Sequence, residues 1–388
     1  MKDIKDFQLH NKKVLVRTDF NVPINDKHEI LDDFKIVKSL ATIKYLKEQG
    51  AKIILISHLG RPQESEKISL RPVAKKLEEL LGQKVDFIND CIGRGAQKAI
   101  EKLSSGDIIL LENLRFFSGE EQNDETFAKQ LAGLAEIYIN DAFATSHRAH
   151  ASIIGIPEFL PSGAGLLLKE EITTLSSIIK NPKRPLITIL GGAKLETKLP
   201  CLMNFLNKAD HLIIGGMLAP VILAIHKISI SGHHFEQDLE EEVKKIKLTD
   251  PKLHMPIDAL VGLRDHKLDY LRQAGVGKIR NEEQMFDIGP ESIRIFSNII
   301  QEASTIIWNG PLGLIEDERF ANGTLAIASA ILRTPAFSVV GGSDTNAFLA
   351  KNNLRDKFGY VSTGGGAMLE FLSGKELPGI KALDSENE

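Results

Sequence analysis

Cysteine is scarce. Cys91 and Cys201 are the only two in 388 residues, they lie far apart, and no Cys-x-x-Cys pair occurs, which excludes a disulfide framework and a structural zinc site built on cysteines. Long apolar runs are missing as well. The longest uncharged stretch, Leu212 to Ile225, contains Gly215, Gly216 and Pro220 and is shorter than the ~18 residues a membrane span needs. From Lys2 to Lys13 charge and hydrophobe alternate, so no basic stub followed by an apolar stretch marks a secretory leader. A cytoplasmic protein without a membrane partner is expected. No large excess of charge exists either: 48 basic against 52 acidic residues leave a net charge of −4, which argues against nucleic acid as a partner. The second half contains neither a G-x-x-x-x-G-K-[ST] loop nor a G-x-G-x-x-G fingerprint, and no H-E-x-x-H spacing accompanies His147 and His150, so the commonest nucleotide and zinc motifs give no help. No internal repeat of 20–50 residues appears.

What is present is a recurrent pattern. Short β-branched runs fall at Lys13–Arg17, Lys52–Ser57, Ile108–Glu112, Ile137–Asp141, Leu186–Leu190, His211–Ile214, Thr305–Trp308, Phe337–Val340 and Tyr360–Ser362. Stretches with helical spacing separate many of them, such as Ile36, Leu40, Ile43 and Leu46, and strand-then-helix alternation predicts parallel sheets covered on both faces. The expected class is α/β, and the length suggests roughly two to three domains. Glycine divides the chain: 11 lie in residues 1–185 and 20 in residues 186–388. Those of the second half sit where strands end, at Gly191-Gly192, Gly215-Gly216, Gly310, Gly341-Gly342 and Gly364-Gly365-Gly366, where small residues let backbone N–H groups approach phosphates. The strand ends of the first half carry polar and basic residues instead: Arg17, Asp19 and Asn21, then His58 and Arg61, then Arg115, then His147, Arg148 and His150. Guanidinium groups gathered on one rim suit a strongly anionic ligand. One basic rim and one glycine-rich rim read together as phosphoryl transfer between a small polyanion and a nucleotide.

Seven strings then carry a resemblance: Arg17-Thr18-Asp19-Phe20-Asn21-Val22-Pro23, Ser57-His58-Leu59-Gly60-Arg61-Pro62, Leu111-Glu112-Asn113-Leu114-Arg115-Phe116, Asp141 to Arg148, Gly191-Gly192-Ala193-Lys194, Trp308 to Gly313 and Ser362 to Ala367. Together, in this order, the chain resembles phosphoglycerate kinase. The resemblance implies two doubly wound parallel-sheet domains facing each other across a hinged cleft. Residues 1–169 would hold 3-phosphoglycerate or 1,3-bisphosphoglycerate, 170–185 would be the hinge, 186–372 would hold Mg2+ with ADP or ATP, and the tail 373–388 would return to the N-terminal domain. By position it implies Asp19, Asn21, His58, Arg61, Arg115 and Arg148 as the acid-binding set. Lys194 and Lys198 would hold the nucleotide phosphates, Glu316 the ribose, and Asp344 the metal with Thr345 beside it; Gly216, Gly342 and Ser343 would complete the nucleotide site. The loop Gly364 to Gly366 would present N–H groups to the phosphates, with Gly365 and Gly366 at the transferring group beside Lys35 and Lys198. A monomer is implied.

The chain departs from the family pattern in places. The catalytic arginine falls on Lys35, which keeps the charge and loses the planar fork. Lys35 also opens a helix-forming stretch, so a plain surface role stays open for it. The stretch near the adenine reads Gly215-Gly216-Met217-Leu218-Ala219-Pro220, the triplet before Asp344 reads Gly341-Gly342-Ser343, and Ala144 follows Phe143 where the family has glycine. An active kinase is the leading expectation; a divergent chain that binds nucleotide or phosphorylated acid with little turnover is the alternative.

Overall fold

The structure is a computed structural model and describes residues 1–60, 67–228, 237–263 and 270–384. These divide into two compact units, Met1–Thr174 with the tail from Glu376, and Leu175–Lys375. The division falls inside the helix Leu166–Lys180.

The first unit is built on a six-stranded sheet of β1 (Lys13–Arg17), β2 (Lys52–Ile56), β3 (Asp86–Ile88), β4 (Ile108–Leu111), β5 (Ile137–Asn140) and β6 (Ser162–Ala164), in the order β3-β4-β2-β1-β5-β6. All its pairings are parallel. Parallel strands covered on both faces need continuous apolar runs, and the β-branched Val14, Val16, Ile53 and Ile139 are accordingly all fully buried. The helix Phe34–Glu48 covers one face by burying Ile36, Leu40, Ile43 and Leu46. Register decides where the chemistry goes: Arg17 pairs with Ile56 on one side and Asn140 on the other, so the segments leaving β1, β2 and β5 emerge side by side at one edge. The tail helix Pro378–Asp384 rejoins this unit. Gly379 N–H donates to the Ser146 carbonyl at 2.8 Å, and the N-terminal amine lies 2.6 Å from Asp384.

The second unit repeats the plan with β7 (Leu186–Leu190), β8 (His211–Ile214), β9 (Leu253–His254), β13 (Thr305–Asn309), β14 (Phe337–Gly341) and β15 (Tyr360–Val361), ordered β15-β14-β13-β7-β8-β9. Leu190 aligns with Asn309 and with Ile214, and Asn309 with Gly341. The glycine turns after β7, β8, β13 and β14 therefore share one edge, the carboxyl end of a parallel sheet where ligands bind.

Both main sheets are parallel, as the strand-and-helix alternation predicts, and the structure adds one element to them. A separate three-stranded antiparallel sheet of β10 (Asp258–Leu263), β11 (Leu271–Gly275) and β12 (Glu283–Ile288) sits in the sequence between β9 and β13. A buried carboxylate ties it together: Glu283 accepts from Arg272 Nη2 and Nε, each at 2.7 Å, and from the Tyr270 hydroxyl at 2.8 Å. Among the described residues no helix is long and apolar enough to cross a membrane.

Candidate functional site

In the first unit the chain turns at Arg17 and lays Thr18, Asp19 and Asn21 along the carboxyl edge. Arg17 does not reach outward. It is fully buried, with Nε donating to Ser152 Oγ at 2.8 Å and Nη1 to the Thr18 carbonyl. Asp19 is almost covered, and its Oδ2 accepts from Lys35 Nζ at 2.7 Å. Lys35, second residue of the helix Phe34–Glu48, is about a quarter exposed and so reaches this edge from outside the sheet.

The next turn is held rigid. Asn113, fully buried after β4, accepts from Leu59 N–H at 3.2 Å and donates Nδ2 to the Leu59 carbonyl at 2.7 Å. Asn21 Oδ1 accepts from Gly60 N–H at 2.9 Å, and Arg115 donates to the Gly60 carbonyl. Gly60 has φ +66, a left-handed conformation that glycine adopts without steric cost. Arg115 Nε also lies 3.3 Å from Glu121. Arg61 lies outside the described residues.

The electrostatics of this edge converge on two imidazoles. Burial and then the charges of Arg17, Arg115, Lys35 and Arg148 hold His58 well below the usual histidine range. His150 is pushed down to about 4 by burial, followed by Arg148, Arg17 and Arg115. Both rings are therefore neutral at pH 7, and the positive charge belongs to the arginines and Lys35. Arg148 is half-buried after the short helix Phe143–Thr145 and acts on both rings. The structure thus gathers Asp19, Asn21, His58, Lys35, Arg115 and Arg148 on one edge. Glu120 escaped the sequence reading. It is fully buried, accepts from Ser152 Oγ at 2.6 Å and N–H at 2.9 Å, and comes from a four-residue helix, Ser118–Glu121, too short to show a pattern.

Glycine shapes the edge of the second unit. Gly216 has φ +56, and a Cβ there would press on the Gly192 N–H and lie 2.7 Å from the Pro311 carbonyl; the loops after β7, β8 and β13 are packed backbone to backbone. Lys198 is nearly buried and donates Nζ to the Gly191 carbonyl. A Cβ on Gly310 would come 2.8 Å from that ammonium. Burial pushes Lys198 down to about 8, opposed by the carboxylate of Asp344. Thr345, buried, accepts from Gly310 N–H at 3.0 Å. A Cβ on Gly365 would lie 3.6 Å from Gly342 Cα and 3.7 Å from Ser343 N, so the loop before Gly366 lies against the start of the helix Ser343–Lys351. Asp344 is exposed there, with Ser343 Oγ 3.3 Å from its Oδ1. Lys198, Gly216, Gly342, Ser343, Asp344, Thr345, Gly365 and Gly366 are thereby on one edge. Lys194 is exposed at the N-cap of the helix Leu195–Lys208. Glu316 is exposed, and among the described residues no hydrogen bond or ion pair ties it to these loops.

For a magnesium ion the residues fit: the exposed Asp344 carboxylate and a hydroxyl offer hard oxygen at a helix start, beside loops too tight for a Cβ. Lys198, influenced by the Asp344 carboxylate, adds a cation to the same edge.

Comparison with known proteins shows the family. The family model described as phosphoglycerate kinase matches residues 4–375. Among curated proteins, phosphoglycerate kinase of Dictyoglomus turgidum is 45% identical over 99% of this chain and 98% of its own length. That of Desulforapulum autotrophicum is 44% identical over 99% of this chain and 100% of its own. Among solved structures, phosphoglycerate kinase from Pyrococcus horikoshii superposes with a TM-score of 0.88 at 33% identity, covering 99% of this chain and 98% of that one. The enzyme from Coxiella burnetii gives 0.82 at 39% identity, covering 98% of each.

Proposed function

The chain belongs to the phosphoglycerate kinase family and carries out the reversible phosphoryl transfer between 1,3-bisphosphoglycerate and ADP that yields 3-phosphoglycerate and ATP; from this premise we propose that the first unit holds the acid and the second the nucleotide. One observation supports the acid assignment most: Lys35, Arg115 and Arg148 stand with Asp19, Asn21 and His58 on one edge, a set of cations and hydrogen-bonding groups suited to a strongly anionic ligand.

The chemistry needs no general base. A carboxylate accepts the phosphoryl group in one direction and a nucleotide phosphate oxygen in the other; both are ionised at pH 7. Catalysis then consists of in-line placement and neutralisation of charge on the transferring group. On this reading Arg61, Arg115 and Arg148 grip the acid's phosphate and carboxylate, and Asp19, Asn21 and His58 orient its backbone. Lys194 and Lys198 hold the nucleotide's phosphate chain, Glu316 its ribose, and the N–H groups of Gly364 to Gly366 face the group in transit. Magnesium bound at Asp344 would supply Lewis-acid neutralisation of the phosphate oxygens. Lys35 supplies the cation on the acid side. We read the protein as a cytoplasmic monomer.

Replacing Arg148 by Ala should weaken binding of 3-phosphoglycerate by about 1.5–3 kcal/mol, the cost of one charged hydrogen-bonding partner, and leave ADP binding nearly unchanged. Calorimetric titration of the two ligands checks this, and an equal loss of both affinities in a folded variant would overturn the assignment. Asp344→Asn should in turn flatten the magnesium dependence of ATP binding. A dependence identical to the parent's would remove Asp344 from the metal.

A further inference from the structure

Two neighbours of His58 make opposite demands on its Nδ1. Arg17, whose guanidinium has hydrogens to donate and no lone pair to offer, places Nη2 3.2 Å from that nitrogen, a hydrogen bond that exists only where Nδ1 is bare. Asp19 places Oδ1 3.9 Å from the same nitrogen, a contact that becomes favourable only where Nδ1 carries the hydrogen. Distance decides between them, since 3.2 Å is a hydrogen bond and 3.9 Å is not. The other oxygen of Asp19 is already taken by Lys35. The guanidinium is itself anchored. Its Nε is bound to Ser152 Oγ, the Ser152 hydroxyl and N–H are both bound to Glu120, and Glu120 Oε1 lies 3.9 Å from Arg17 Nη2. Arg17, Ser152 and Glu120 are all fully buried, so none of them is placed to touch a ligand.

We propose that Arg17, locked by Ser152 and Glu120, is a positioning residue that fixes His58 as the neutral tautomer with its hydrogen on Nε2, so that the ring meets the acid substrate as a hydrogen-bond donor. This rests on the reading of His58 as an acid-binding residue. The charged groups facing the ring are Arg17 and Asp19 from β1 and the turn after it, Lys35 from the helix Phe34–Glu48, Arg115 from the turn after β4 and Arg148 from the segment after β5. The four cations and burial keep the ring uncharged, so what Arg17 selects is the tautomer. Without Arg17, Asp19, whose Oδ1 also accepts from Asn21 N–H at 3.1 Å, is the remaining claimant on Nδ1 among the described residues. The hydrogen then moves to Nδ1, and Nε2 is left with a lone pair that repels an anion.

Nitrogen-15 NMR of the His58 ring in the full chain reads the tautomer directly, alongside the KM for 3-phosphoglycerate and for ATP at pH 7. The wild-type ring should carry its hydrogen on Nε2. In Arg17→Met the hydrogen should shift to Nδ1 and the acid KM rise about two- to tenfold, the worth of one hydrogen bond, with the ATP KM unchanged. Arg17→Lys, which keeps a donor, should recover part of both, and Ser152→Ala should lie between. Should Arg17→Met fail to fold because Glu120 is left buried alone, the pair Arg17→Met with Glu120→Gln removes both charges and should show the same shift. Hydrogen on Nδ1 in the wild type, or on Nε2 in every variant, overturns the proposal. An unchanged acid KM in His58→Ala would instead strike the acid-binding role of His58 and leave the tautomer result standing.

Discussion

The Lys35→Ala variant should turn over about 10²–10³-fold more slowly than the parent, the usual cost of removing one electrostatic donor from a transition state, with nucleotide affinity nearly intact. In the structure the ammonium is parked on Asp19 at 2.7 Å, on the edge that also carries His58, Arg115 and Arg148, and a point charge on a flexible stem can leave that partner for a phosphoryl group. Arginine at the same position would add a planar fork, so Lys35→Arg should match or exceed the parent's rate if the pocket admits the larger head group. Steady-state kinetics on the two variants separates this from a surface role. Turnover in Lys35→Ala equal to the parent's would mean that another cation serves the transferring group.

Lys198 should show an equally large effect with a pH signature of its own. Burial disfavours the charged amine and brings Lys198 from the ordinary lysine value down to about 8. The ammonium is present below that pH and lost above it, so kcat/KM for the nucleotide, which reports groups of the free enzyme, should fall as pH rises through about 8. Lys198→Met should lose about 10²–10³-fold in turnover and lose this limb of the profile as well, while the KM for 3-phosphoglycerate hardly moves. A Lys198→Met profile that retains the same fall would assign it to another group.

The long strands at the centre of both sheets were legible because burial on two faces leaves a continuous apolar run, as in Ile53 to Ile56 or Ile187 to Leu190, where only Thr188 interrupts the second. The strands that escaped notice lie at edges or outside the main sheets. Asp86–Ile88 and Leu253–His254 are two or three residues long, and Leu271–Gly275 places Arg272 and Gln273 side by side and buries only Ala274, so it shows no strand period. The antiparallel sheet depends on a pairing no local pattern announces, Arg272 with Glu283. At the site, the turn residues could be found from their position after strands. Glu120 and Ser152 could not. Each acts on a group far away in the chain, Glu120 on Ser152 and Ser152 on Arg17, and a glutamate on one turn of helix looks like any solvated residue until the fold buries it. Arg17 shows the converse: its position among the rim arginines suggested an outward fork, and the fold turned it inward onto Ser152 and His58.

The division of labour between the two edges is tested most directly by backbone amide chemical shifts of the full chain titrated separately with 3-phosphoglycerate and with magnesium and ADP. The account predicts that the acid alone perturbs the turns at Asp19 to Asn21, His58 to Gly60, Asn113 to Arg115 and Thr145 to His150. The nucleotide alone should perturb Gly191 to Lys198, Gly215 to Gly216, Gly310 to Gly313, Gly342 to Thr345 and Gly364 to Gly366. Acid-induced shifts centred on the glycine turns of the second unit, or nucleotide-induced shifts centred on the arginines of the first, would contradict it.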